Sequence, residues 1–134
     1  RLTINGERLT RNGMMEDFSY RRLRVYSNAK ELVLYVYSLL KLFPKEENYA
    51  LCDQLRRAVI SIPSNIAEGQ ERNSSADFVR FISIAQGSRA ALETQLKLCD
   101  RIGYLGKEDI EECMMLLKEV GRMLNSIVKK LINK

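Results

Sequence analysis

From Val25 onward the apolar positions Tyr26, Ala29, Leu32, Val33, Val36, Leu40 and Phe43 step by three and four, the period of a helix with one buried stripe. Pro44 stops it. A second helix is predicted over about Glu47 to Glu68, with Leu51, Leu55, Ala58, Ile62 and Ile66 on one face and Gly69 as its C-terminal stop. Asn73, Ser74 and Ser75 open a third, where Asp77 follows Ser74 by three residues as an acidic variant of the capping box. Phe78, Phe81, Ile82, Ala85, Ser88, Leu92, Leu96 and Cys99 keep its period to about Ile102. Gly103 and Gly106 bracket a short connection to a fourth helix from Lys107, with Ile110, Met114, Leu117, Gly121, Leu124, Val128 and Leu131 on its stripe. Its first turn holds Glu108, Asp109, Glu111 and Glu112 and its last Lys129, Lys130 and Lys134, both matched to the helix dipole.

Short connections make each helix pack beside the last, so the pattern predicts an all-α, antiparallel up-down-up-down four-helix bundle. The 134 residues suit one domain. Residues 1–17, with Gly6, Asn12 and Gly13 and no sustained period, read as a poorly structured arm, and 18–134 as the bundle; Met14 and Met15 offer an alternative start. Pro63 is the anomaly. Its ring removes a donor and presses on the Val59 carbonyl, which predicts a kink or a break in the second helix. Ser61, Ser64 and Asn65 lie close enough to satisfy the freed groups, and the bend would carry Ile66 and Glu68 against the third helix near Ser88 and Gln95. Small or polar residues on the third helix (Ala85, Gly87, Ser88, Ala91, Gln95) suggest either close helix approach with hydrogen bonds across the seam or relief of strain at Pro63.

The chemistry is narrow. There is no histidine, which removes histidine-dependent nucleophile pairs, ordinary zinc sites with histidine and the Glu-x-x-His ligands of di-iron bundles. Phosphate-binding glycine loops are absent too. The acids from Glu108 to Glu112 read as dipole matching rather than a cation site. Cys52, Cys99 and Cys113 are odd in number and widely spaced, which predicts reduced, packed thiols. The expectation is a protein that is not an enzyme and takes no cofactor and no metal.

The apolar run Leu32 to Leu42 is broken by Ser38 and Lys41, so no membrane span is predicted. Residues 1–24 lack the pattern of a secretory signal, and the expected location is cytoplasmic. Helix one carries more apolar and aromatic residues (Tyr26, Leu34, Tyr35, Tyr37, Leu39) than one inward stripe accommodates, a surplus that predicts self-association.

Net charge is +5. Residues 1–24 hold Arg1, Arg8, Arg11, Arg21, Arg22 and Arg24 against Glu7, Glu16 and Asp17, a local +3 that leaves only +2 for the remainder. Arg21, Arg22, Arg24, Arg56, Arg57, Arg72, Arg80 and Arg89 are the candidates for phosphate contact, since arginine suits that geometry. The competing reading pairs several of them with Glu68, Glu71, Asp77 and Glu93 on solvated helix faces; both stand at this point.

The block Ser61-Ile62-Pro63-Ser64-Asn65-Ile66-Ala67-Glu68-Gly69, with Ser74 to Phe78, Arg80-Phe81, Ile84-Ala85, Gly87-Ser88 and Leu92 to Leu96, resembles the bacterial four-helix-bundle family of the 23S rRNA intervening-sequence type. Phe18, Leu23, Val25-Tyr26, Ala29, Leu32, Phe43-Pro44, Glu46, Gln54 to Arg57 and Gly103 to Leu105 also fit, so the resemblance spans about residues 17–132. Tyr26 departs from a common tryptophan and Ala91 from a common glutamate. Related members are the accessory variability proteins of diversity-generating retroelements. The resemblance implies a non-enzymatic homo-oligomer, a pentamer, that contacts RNA or DNA or a reverse transcriptase. The cost of a proline inside a helix gives the surrounding set, Ser61, Pro63, Ser64, Asn65, Glu68, Gly69, Ser88 and Gln95, an architectural rather than a binding role. The alternative function is a structural or protein-interaction module without nucleic acid.

Overall fold

The computed structural model describes the backbone of residues 3–4, 7–8 and 11–133 and the side chains of residues 19–133. Lys134, counted above in the last basic turn, lies outside them, as do the side chains of Arg1, Arg8, Arg11 and Phe18. Strands β1 (Thr3–Ile4) and β2 (Glu7–Arg8) pair antiparallel. Four helices follow: α1 (Arg11–Leu40), α2 (Leu51–Gln70), α3 (Ser75–Ile102) and α4 (Lys107–Ile132).

α1 begins well before the Val25 at which its period becomes readable, and inside the segment expected to be an arm. Val25 is the first buried position among the described side chains, whereas Tyr20 and Leu23 are exposed; a helical turn without a packed face leaves no period in the sequence. α1 ends at Leu40, and Pro44, extended at φ −66°, leads into a single 3-10 turn (Lys45–Glu47). The second helix was expected from Glu47. It starts at Leu51, where the Glu47 side chain accepts the Leu51 amide at 3.4 Å.

Ser74 caps α3 as predicted, its hydroxyl accepting from the Asp77 amide at 3.1 Å. Gly103, at φ 99°, closes α3 in the left-handed conformation, and its amide and that of Tyr104 return to the Cys99 carbonyl at 3.0 Å, a glycine C-terminal stop. Before α4, Asp109 Oδ2 accepts from the Gly106 amide at 2.7 Å.

Each helix packs chiefly on its chain neighbours, and α1 closes the ring on α4. Cross-helix bonds fix the directions: Arg22 with Gln70, Ser61 with Ser88, Gln86 with Gly121, and Tyr35 with Glu112. The chain is an antiparallel up-down-up-down four-helix bundle. Its core is apolar throughout the described residues, built from stripes such as Val25, Leu32 and Val36 on α1 and Leu117, Val120 and Leu124 on α4. Fully burying one such side chain contributes about 1.5–3 kcal/mol. The expected surplus on α1 is partly absorbed: Leu39 is buried and Tyr26 and Tyr35 are half-buried, while Leu34 and Tyr37 stay exposed.

α2 runs through Pro63 without a break. Ser64 Oγ donates to the Ile60 carbonyl at 2.8 Å and Asn65 Nδ2 to the Ser61 carbonyl at 2.8 Å. Both carbonyls lie just beyond the one deprived by the proline, so the side chains reinforce the turn where the ring weakens it. Asn65 Nδ2 also reaches Ser61 Oγ (2.9 Å), which meets Ser88 Oγ at 2.7 Å. The polar residues thus both brace the proline and bond across the α2–α3 seam.

Two expectations here are corrected. Gly69 is not the stop of α2, which continues to Gln70; it is buried, and a Cβ there would stand 2.8 Å from the Phe78 ring and 3.0 Å from Phe81 Cβ. The glycine serves a close helix approach. Nor does Glu68 meet Ser88 or Gln95: with Ser61 opposite Ser88 and Gly69 opposite Phe78, Gln95 lies level with residues before Ser61. Its Oε1 is buried without a hydrogen-bond partner among the described residues.

Candidate nucleic-acid interface

The candidate arginines do not gather into one patch. Arg21 and Arg24, on the outer side of α1's early turns, share an open groove of about 390 Å³ with Tyr20 and with Glu119, Arg122, Met123 and Ser126 of α4. It continues along α4 into a second open depression of about 430 Å³, lined by Glu112, Met115, Leu116 and Lys118 together with the same Glu119 and Arg122. Four cations, Arg21, Arg24, Lys118 and Arg122, therefore face two acids along one surface. Arg24 lies 4.0 Å from Glu119, with both side chains about half exposed; such a contact is weak and salt-screened. Tyr20 is 52% exposed and offers an aromatic face beside the cations.

The others are engaged elsewhere. Arg22 turns to the other side of α1: Nη2 donates to the Gln70 carbonyl at 3.4 Å, the guanidinium lies 4.6 Å over the Phe78 ring, and partial burial lowers its pKa. Arg72 and Arg80 both stack on Phe81, at 4.6 and 4.5 Å, while Arg72 pairs with Glu68 at 2.9 Å and Arg80 approaches Asp77 at 3.9 Å. Arg56 clasps Asn48 through its carbonyl (3.1 Å) and its Oδ1 (2.7 Å), and Arg57 pairs with Asp53 at 3.0 Å. Arg89 lies against α4, its Nε donating to Gln86 Oε1 at 2.7 Å. The solvated-pair reading thus holds for Arg72 with Glu68 and Arg80 with Asp77, whereas Arg89 approaches Glu93 at 3.9 Å with both side chains mostly covered.

Three groove residues, Tyr20, Lys118 and Arg122, were not singled out from the sequence. The legible signal was the spacing of Lys118 and Arg122, four apart and off the Leu117–Leu124 stripe. What sequence alone hides is that they lie beside Arg21 and Arg24, nearly a hundred residues away.

None of the three thiols is a reactive nucleophile at neutral pH. Burial pushes the Cys99 thiol up to about 11 and Cys113 to about 12, and raises Cys52 as well, so all three stay protonated. No group of three or more Cys, Asp or Glu side chains among the described residues is placed to hold a metal ion, and no described helix is long and apolar enough to cross a membrane.

The family described as 23S rRNA-intervening sequence protein matches residues 21–126. The chain belongs to this family. A solved structure from Bacteroides thetaiotaomicron, described as a protein with unknown function from the S23 ribosomal protein family, is 27% identical with a TM-score of 0.73, over 78% of this chain and 98% of that one. No curated protein matches. The matched stretch of this intervening-sequence protein begins at Arg21 and ends at Ser126, so both ends fall in the α1–α4 groove.

Proposed function

We propose that this intervening-sequence protein is a non-enzymatic, self-associating bundle that binds RNA or DNA, alone or alongside a protein working on them such as a reverse transcriptase, through the α1–α4 groove. The observation that supports this reading is the convergence of Arg21, Arg24, Lys118 and Arg122 beside exposed Tyr20. Cations along a groove neutralise phosphates and an aromatic face accepts a stacked base. Fluorescence anisotropy with labelled single-stranded RNA and DNA across a salt series tests it. Affinity falls as salt rises, and Arg24→Ala with Arg122→Ala weakens binding and lowers the salt slope by about two.

A second reading, a protein-interaction module, draws on the exposed Leu23 and Leu34 of α1, 63% and 65% accessible. Binding that ignores salt, or no binding to either nucleic acid, favours it.

A further inference from the structure

The α1–α4 groove is lined by three kinds of side chain, and only one of them suits a phosphate. Exposed Lys118 and Arg122 pair with no acid among the described residues. They stand one turn apart on α4, roughly 6 Å, the order of one phosphate-to-phosphate step along a nucleotide strand. Glu119 lines both depressions beside them, and its carboxylate, 43% exposed, repels any phosphate these cations hold. The third kind is apolar or aromatic. Met115 is 65% exposed, half-buried Leu116 and Met123 continue its surface, and Tyr20 lines one depression together with Glu119.

A duplex makes use of the cations alone. Its bases are stacked and their Watson–Crick edges paired, so it brings phosphates to Glu119 and leaves Tyr20 and Met115 against a sugar–phosphate surface. An unpaired strand engages all three kinds. Its phosphates meet Lys118 and Arg122, its base faces cover Tyr20 and Met115, and its free base edges carry N–H donors that a carboxylate accepts. Guanine matches best, because its ring N–H and its amine lie side by side, as do the two oxygens of a carboxylate.

We propose that the groove takes unpaired nucleotides, a segment of about four, with one base stacked on Tyr20 and a guanine edge on Glu119. From Glu112 to Ser126 the α4 wall runs roughly 21 Å, which sets the length of the segment. This inference deepens the nucleic-acid reading above and rests on it.

The test is fluorescence anisotropy on the full chain. The labelled probes are short oligouridine and oligothymidine strands, with and without one central guanine, and a blunt GC-rich duplex of the same length. At equal salt the guanine-bearing strands bind about tenfold or more tightly than the duplex, and more tightly than strands without guanine. Tyr20→Ala weakens single-strand binding by about tenfold, in the range of one lost stacked base, with its salt slope unchanged, while Tyr20→Phe keeps the affinity. Glu119→Gln erases the guanine preference. Melting temperatures of the variants match the parent chain, which keeps folding out of the comparison. Duplex binding as tight as single-strand binding, affinity unmoved by Tyr20→Ala, or a guanine preference that is absent or survives Glu119→Gln overturns this inference and leaves the nucleic-acid reading standing. Failure of every probe to bind overturns that reading and this inference with it.

Discussion

Arg89 crosses α4 at Gly121, and a side chain on the glycine would displace it: a Cβ there would stand 2.8 Å from Arg89 Nε and 3.1 Å from its Cδ and Cζ. Gln86 completes the junction, donating from Nε2 to the Gly121 carbonyl at 2.9 Å and to Asn125 Oδ1 at 2.8 Å while accepting from Arg89. An arginine nominated for phosphate contact is therefore part of the α3–α4 seam. Arg89→Ala should lower stability by about 1–2 kcal/mol, the scale of a lost charge-assisted hydrogen bond with its packing, and leave nucleic-acid affinity unchanged. Chemical denaturation beside anisotropy checks it; a stable variant that has lost affinity would return Arg89 to the binding surface.

Gly69 and Gly87 should respond in opposite ways to the same change. Gly69→Ala forces a methyl against Phe78 and Phe81 in a buried seam and should cost about 1–3 kcal/mol by overpacking. Gly87→Ala meets open space within the protomer. Measured at dilutions where the protein is monomeric, it should gain up to about 1 kcal/mol from helix propensity. Thermal melts of the two variants decide whether close approach, rather than backbone freedom, fixes Gly69.

Asn65 holds α2 together just after the proline and positions Ser61 for its bond to Ser88. Because Asn65 is half-buried and water can reach part of the site, Asn65→Ala should cost about 1 kcal/mol, the lower part of the range for an unmade bond. Nucleic-acid affinity should persist. Denaturation midpoints and binding curves on one preparation test both halves.

Alkali should unfold the protein earlier than acid chemistry alone suggests. Cys99 and Cys113 have native pKa values raised from 9.0 to about 11 and about 12 by burial. A raised pKa stabilises fully below the unfolded value and is lost as pH climbs through the folded one. Their contribution is thus constant at neutral pH and declines from about pH 9, by roughly 2 kcal/mol or more per thiol at pH 11. Tyr104, raised by its bond to Glu47, and Tyr35, raised by burial and then by Glu112, act in the same direction. Melting temperatures across pH 7 to 11 should be flat and then fall, and a thiol reagent at neutral pH should react only on unfolding.

The helices were legible because a buried stripe writes its own period: Leu32, Ile62, Ile82 and Leu117 all lie where the three-four spacing puts them. The described stretch of α1 before Val25 was not, because side chains such as exposed Tyr20 and Leu23 leave no such trace. Gly69 was misread since glycine after an apolar run signals a stop as readily as a close approach, and only the position of Phe78 distinguishes them. Among the candidate arginines, proximity in sequence was a poor guide. Arg21 and Arg22 are adjacent yet point to opposite neighbours, while Arg24 and Arg122 meet from the two ends of the chain.

The groove's two walls are unequally anchored. Its α4 side rides on the buried Val120, Leu124 and Ile127, but the described α1 side chains before Val25 include no buried one, and half-buried Arg22, reciprocally bonded with Gln70, ties that stretch to α2. Backbone amides there should exchange with solvent far sooner than those from Ala29 onward. A polyanion bridging Arg21 and Arg122 must then supply the ordering of one helix end as it binds. Its apparent affinity becomes a function of that local opening equilibrium, so a substitution that merely stiffens the first turns of α1, touching no ligand, would tighten binding.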